Sequence, residues 1–288
     1  MVQALSGQLL IGVINGSFYA LMSLGLAVIF GLLNVVNFAH GAQYMLGAFV
    51  AWMGMQYLGI GYWWALILTP LAVGVLGMVF ERLFLRRLYG LDPLYGLLLT
   101  FGVALVLEGI FQNAYGISGN SYPVPALLQG GSDLGFMYLP RYRGWVVLVS
   151  MAVCFGSWFV IEKTRLGAYL RAGTEKPLLL QGFGVNVPLM FTLTYGFGAA
   201  LAAFAGVMAA PIYQVTPLMG SNVIMVVFAV VVIGGMGSIM GSIVTGLGLG
   251  LVEGLTKFFY APASDVIVFV VMALVLLLRP AGLFGRSQ

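Results

Sequence analysis

The chain has 288 residues, of which 61% are hydrophobic and only 7% charged, and its mean hydropathy is +1.07. Ordinary soluble domains carry about 25% charge, so the composition excludes a soluble globular protein and predicts an all-α polytopic membrane protein. The net charge of +4 comes from basic residues spread among the loops, so no basic patch of the kind a nucleic acid needs is formed and no nucleic-acid partner is expected.

A helix needs about 20 apolar residues to cross roughly 30 Å of hydrocarbon. Spans are predicted near residues 9–32, 40–58, 62–84, 95–115, 144–161, 188–210, 220–236, 240–257 and 264–280. The link between 220–236 and 240–257 is very short, so one of that pair reads as a re-entrant or broken helix, and the count is eight or nine. The N-terminal MVQALSGQLL has no basic region and does not read as a cleaved signal peptide. With Cys154 the sole cysteine, no disulfide forms within the chain.

Basic residues set the orientation. With nine spans, Arg82, Arg86, Arg87, Lys163, Arg165, Arg171, Lys176, Arg279 and Arg286 fall on one side, and Arg141, Arg143 and Lys257 on the other. The richer side is read as cytoplasmic, with the N-terminus outside and the C-terminus inside. The whole chain, 1–288, reads as one transmembrane domain. Residues 162–186 form its charged cytoplasmic loop, and residues 116–143, rich in Gly, Ser and Pro, its largest outer loop.

Polar groups at membrane depth are costly and often functional. Asn34, Asn37, His40, Gly41 and Gln43 stand between the first two spans; they suit a broken helix lining a wet path, or a plain turn. His40 is the only histidine, which excludes a histidine metal cluster, and it is expected to be a packed or capping residue rather than a base. Glu108 in the fourth span is either a hydrated interfacial group or a functional one. Glu253 precedes Lys257 by four residues, the spacing of an ion pair on one helix face.

The 41 glycines suit close helix packing in lipid. Gly198, Ala202 and Gly206 share a helix face, as do Gly237 with Gly241 and Gly246 with Gly250; these are read as packing surfaces. A weak internal repeat relates HGAQYMLGAFV (residues 40–50) to GGMGSIMGSIV (residues 234–244), and transporters commonly place such repeats at the substrate path. No G-x-x-x-x-G-K-[ST] occurs, so the chain binds no ATP by a P-loop. Paired metal ligands are absent as well, and no enzyme is expected. On these residues alone, an ion-coupled secondary transporter of a small polar solute, using Glu108 and Glu253, is the alternative to a subunit driven from outside.

Several motifs in order resemble the LivH-type permease subunit of bacterial branched-chain amino-acid ABC importers. They are Gly31-Leu-Leu-Asn34-Val-Val-Asn37-Phe-Ala-His40-Gly41 with Met45-Leu46-Gly47-Ala48; Glu81-Arg82 with Arg86 and Arg87; Thr164-Arg-Leu-Gly167-Ala-Tyr-Leu-Arg171-Ala172 with Gly184-Val-Asn186; Gly234-Gly235-Met-Gly237-Ser238; and Arg279-Pro280-Ala-Gly282-Leu283-Phe284-Gly285. The resemblance runs from about residue 8 to 285. It implies a multi-pass subunit of the bacterial inner membrane that moves branched-chain or related hydrophobic amino acids by alternating access. It implies a second homologous permease, two cytoplasmic ATPase subunits that hold the ATP–Mg, and a periplasmic substrate-binding protein, with no cofactor bound by this chain. Asn34, Asn37, His40, Gly41, Gly234 and Gly235 are the expected pathway residues. Arg171, Glu175, Lys176, Leu178, Leu179 and Phe183 are the expected contacts with the ATPase, on a short coupling helix near residues 175–183 that also carries Leu180. Pro177 either opens that helix in its first turn, where proline is tolerated, or prevents it.

Overall fold

The structure, a computed structural model, describes residues 2–33, 35–133, 135 and 137–285. Eleven α-helices account for most of these. They are α1 (Val2–Leu33), α2 (Ala39–Leu58), α3 (Tyr62–Leu83), α4 (Pro93–Tyr115), α5 (Arg141–Lys163), α6 (Arg165–Glu175), α7 (Pro177–Gly182), α8 (Val187–Ala209), α9 (Met219–Gly234), α10 (Ile239–Tyr260) and α11 (Ser264–Leu278). Six stretches are long and apolar enough to cross a membrane, among them Gln3–Gly31, Pro93–Tyr115 and Val187–Ala209. The chain is a multi-pass, all-α membrane protein.

The predicted spans match nine of these helices, with shifted ends. The first begins at Val2 rather than near residue 9, and the fifth at Arg141 rather than 144. The short link resolves into two separate helices. Gly235 (φ 98°) and Gly237 (φ 88°) adopt a backbone that favours glycine, and the Ser238 side chain caps α10 by accepting from Gly241 N at 3.1 Å. With 16 residues, α9 is about 24 Å long, short of a full crossing. Its last carbonyls are satisfied by the chain end: Leu283 N donates to Ile233 O (2.8 Å) and Phe284 N to Gly234 O (3.1 Å).

The bundle is built around α1, whose Leu21, Met22, Leu24, Ala27 and Ile29 are wholly buried. It lies against α10, α8, α5 and α9. The α1–α10 seam is glycine on glycine. A Cβ on Gly12 would stand 2.5 Å from Gly250 O, and one on Gly246 2.5 Å from Ala20 N. Gly198 meets Ile29 and Gly25 of α1, while Gly206 meets Tyr44 and Ala48 of α2. The small-residue faces are therefore packing surfaces, as their spacing predicts. By contrast α4 turns most of its apolar side chains outward, including Leu98, Leu105, Val106 and Ile110.

The two repeat segments each open a helix after a tight link, α2 after α1 and α10 after α9. Residues 40–50 are helical throughout, whereas residues 235–238 form the α9–α10 turn. The end of α1 meets the α9–α10 turn, since a Cβ on Gly31 would lie 2.5 Å from Gly237 Cα. The loop between α4 and α5 carries a short antiparallel hairpin, β1 (Gly131–Asp133) and β2 (Tyr138–Pro140). It is fastened back onto the α8–α9 turn, where Asn120 N donates to Val215 O and Val215 N to Asn120 O, both at 2.9 Å.

Candidate functional site

Of the expected pathway residues, Asn34 lies outside the described residues. Asn37 and His40 are buried. His40 Nε2 lies 3.0 Å from Met22 O, and its ring fills the space beside Gly25, so it is a packing residue that ties α2 to α1. Gly41 meets the backbone of Gly220, Gly234 packs on Gly241, and Gly235 backs onto Gly285. Gly41 borders a groove of about 250 Å³ between α2, α4 and α9. Glu108 lies in that groove, where its Oε2 accepts from the Ser221 hydroxyl and its Oε1 from Gln112 Nε2 at 3.4 Å.

A second cavity, of about 350 Å³, is bounded by α1, α2, the turn at 210–218 and the start of α9. Asn15, Tyr44, Gln214, Thr216 and Asn222 supply its polar lining, and Phe18, Met22 and Met219 its apolar lining. The Tyr213 ring packs edge-on against Phe18 at 6.0 Å, and its hydroxyl donates to Asn15 Oδ1 at 3.3 Å. Tyr19, also in the wall, donates to Glu253 Oε2 at 2.8 Å. Glu253 Oε1 takes the Lys257 ammonium, the ion pair its spacing predicts. Sequence reasoning missed this cavity. The one visible signal was Asn15, the sole amide between Leu9 and Leu33 of α1; its partners come from distant segments.

Glu81, in the motif with Arg82, Arg86 and Arg87, parts from those three in the structure. It is fully buried, accepting from Tyr89 (2.8 Å) and Thr192 (2.6 Å), while Arg82, Arg86 and Arg87 stay exposed. The turn of α3 that carries Glu81 faces α8, and the next residue faces out.

The polar stretch 162–186 is mostly helical. Gly167 sits directly on Ile161 O, a contact that admits no Cβ and lets α6 turn sharply off the end of α5. Arg171 is engaged inside the subunit, donating to Ile161 O (3.2 Å) and pairing with Glu162 (3.4 Å). Pro177 opens α7 in its first turn, which settles the alternatives left by the sequence. Leu178, Leu179 and Phe183 are 80%, 61% and 86% exposed. Leu180 is buried against Gly173, so the apolar surface is Leu178, Leu179 and Phe183 without it. Glu175 and Lys176 are exposed beside them. No group of three or more His, Cys, Asp or Glu side chains able to hold a metal exists among the described residues.

Comparison with known proteins agrees with this architecture. Residues 8–276 match the family model described as branched-chain amino acid transport system / permease component. The chain is 32% identical to the high-affinity branched-chain amino acid transport system permease protein BraD of Pseudomonas aeruginosa, over 98% of this chain and 96% of that one. It is 29% identical to LivH of Escherichia coli K12, with the same coverage, and 27% identical to LivM of the same organism, over 94% of this chain and 68% of LivM. No solved structure matches. The chain belongs to the family of permease components of branched-chain amino acid transport systems.

Proposed function

We propose that this chain is the membrane-spanning permease subunit of an ATP-driven importer, and that it forms the translocation pathway for branched-chain or related hydrophobic amino acids by alternating access. The observation that carries the reading is the apolar surface of Leu178 and Leu179 on the short helix α7, with Phe183 just after its end. A solvated connector explains charges but not exposed leucines, whereas a docking surface needs an apolar centre with polar groups beside it. Arg171, Glu175 and Lys176 supply that rim.

The partners are two cytoplasmic ATPase subunits, which hold the ATP–Mg, a periplasmic binding protein, and a second homologous permease. Similarity to both LivH and LivM supports a paired arrangement. This chain is taken to bind no cofactor and catalyse no reaction. The bias of basic residues supports a cytoplasmic 162–186 segment and C-terminus, a periplasmic N-terminus and 116–143 loop, and a bacterial inner-membrane location. Asn37, His40, Gly41, Gly234 and Gly235, with Asn34, then hold the helix breaks beside the pathway.

The test is uptake of radiolabelled leucine into proteoliposomes that contain the chain with its cognate permease, ATPases and binding protein. Uptake that requires ATP is expected. Uptake driven by a proton or sodium gradient alone overturns the reading in favour of a secondary transporter.

A further inference from the structure

We propose that the cavity between α1, α2 and the 210–218 turn is a station for a solute of zero net charge with an apolar body, an aliphatic amino acid in its zwitterionic form. The proposal rests on the transport function above and adds to it a location and a charge rule.

Four polar side chains line this cavity, Tyr44 buried, Thr216 half-buried, and Gln214 and Asn222 open to it. Among the described residues no group hydrogen-bonds the side chains of Tyr44, Gln214, Thr216 or Asn222. Asn15, which accepts from Tyr213, stands near the middle of the 32-residue α1. Polar groups at such depth are costly unless water or a ligand bonds them. The backbone argues the same way. Residues 210–218 are largely irregular yet lie level with Phe18, and non-helical backbone at membrane depth is tolerated where it is buried in protein or lines a cavity. The turn is also held in place, by the paired bonds between Asn120 and Val215 and by the Tyr142 hydroxyl donating to Met208 O at 2.8 Å. The wall that presents Gln214 and Thr216 is thus pre-formed.

The charge rule follows from the lining. Amide N–H and hydroxyl groups donate to a carboxylate, and amide and hydroxyl oxygens accept from an ammonium, so one zwitterion satisfies both kinds. Phe18, Met22 and Met219 receive an aliphatic side chain, with methionine adapting to its shape. None of the lining residues is charged. The nearby Glu253 has both oxygens engaged, by Tyr19 and Lys257. Arg143, which acts on Tyr213, and Asp265, which acts on Tyr19, stand outside the lining, so a solute with a further charge would shed its hydration here and meet no counter-ion within the cavity.

The sole cysteine, Cys154, is buried, so single reactive thiols can be placed at will. Thr216→Cys and Asn222→Cys put one in the cavity, and Leu127→Cys puts one on an exposed loop outside it. Each full-length variant, in lipid nanodiscs open on both faces, is labelled with a water-soluble methanethiosulfonate. L-leucine at several times its dissociation constant is expected to slow labelling of both cavity thiols about fivefold. L-lysine and L-glutamate are expected to leave the rate unchanged, and Leu127→Cys to be indifferent to all three. No protection by leucine, equal protection by all three amino acids, or failure of both cavity thiols to react overturns the station. ATP-dependent uptake without protection overturns the station alone; protection with ATP-independent uptake overturns only the transport mechanism.

Discussion

Thr192 of α8 donates a 2.6 Å hydrogen bond to Glu81 of α3, and Glu81 is completely buried. Its other oxygen accepts from Tyr89 at 2.8 Å, so one carboxyl joins α3, α8 and the turn between α3 and α4. Removing it has unequal consequences. The Thr192 hydroxyl already contacts Pro188 O at 3.1 Å and falls back on it. The Tyr89 hydroxyl has no second acceptor among the described residues. Glu81→Ala is expected to destabilise the chain by about 1–3 kcal/mol, the cost of one orphaned polar group. Glu81→Gln keeps one carbonyl acceptor and is expected to lose less. Thermal unfolding in detergent ranks the two, and equal stability of Glu81→Ala and the unsubstituted chain contradicts the account.

Glycines in this chain divide sharply by what stands opposite them. A Cβ on Gly246 meets the Ala20 backbone at 2.5 Å, whereas nothing lies within 4 Å of one on Gly102. Gly246→Val is expected to push α10 off α1 and cost at least the roughly 1–3 kcal/mol typical of overpacking, a large fraction of a margin of about 5–15 kcal/mol. Gly102→Ala is expected to be neutral or slightly stabilising, because alanine favours helix over glycine by roughly 1 kcal/mol. The readout is the monodisperse fraction after extraction; a monodisperse Gly246→Val at normal yield counts against the seam.

These contrasts show what could be read from the chain. Long apolar runs place helices whatever they pack against, so nine apolar helices were legible, the first with its start seven residues off, while which of them cross fully was not. Small-residue spacing was legible too, since it depends on one helix alone. Glu81 was not, because its partners stand 8 and 111 positions away and its neighbours Arg82, Arg86 and Arg87 suggest an exposed turn. The cavity was not legible either: Asn15, Tyr44 and Gln214 share no local pattern and meet only through tertiary packing. Leu180 is the instructive case. Three consecutive leucines on a helix point in directions 100° apart, so one of the three was bound to turn inward.

The surface of α7 makes a prediction about partners that spares the fold. Leu178 and Leu179 are exposed, so aspartate at both positions removes little packing within the chain. Leu178→Asp with Leu179→Asp is expected to reach the membrane at normal levels and melt within a degree or two of the unsubstituted chain. ATPase co-purification and leucine uptake are expected to be lost, since charge at an apolar interface centre is poorly tolerated. Leu180→Asp is expected to differ in kind, lowering stability because that side chain is buried. Retained co-purification with normal uptake in the double variant removes α7 as the docking surface.

Tyr62, Tyr142 and Met208 form a directed chain, and its direction fixes the order of the variants. The Tyr142 hydroxyl donates to Met208 O at 2.8 Å, near the end of α8 where carbonyls lose their helical partners. Its single proton is thereby committed, so the 2.9 Å contact between the two phenols has Tyr62 as donor and Tyr142 as acceptor. Tyr62→Phe removes one bond and leaves Met208 O satisfied, for an expected loss of about 1 kcal/mol. Tyr142→Phe removes both bonds and leaves a buried carbonyl and a buried hydroxyl without partners, for an expected loss of about 2–4 kcal/mol. The double variant is expected to be no worse than Tyr142→Phe, because the Tyr62 hydroxyl it removes is already orphaned; strict additivity of the two single losses refutes the bond between the phenols, and a Tyr62→Phe loss as large as that of Tyr142→Phe refutes the assigned direction. Tyr142→Phe also loosens the 210–218 turn, so thiol labelling at Thr216→Cys is expected to accelerate in that background and to stay unchanged with Tyr62→Phe.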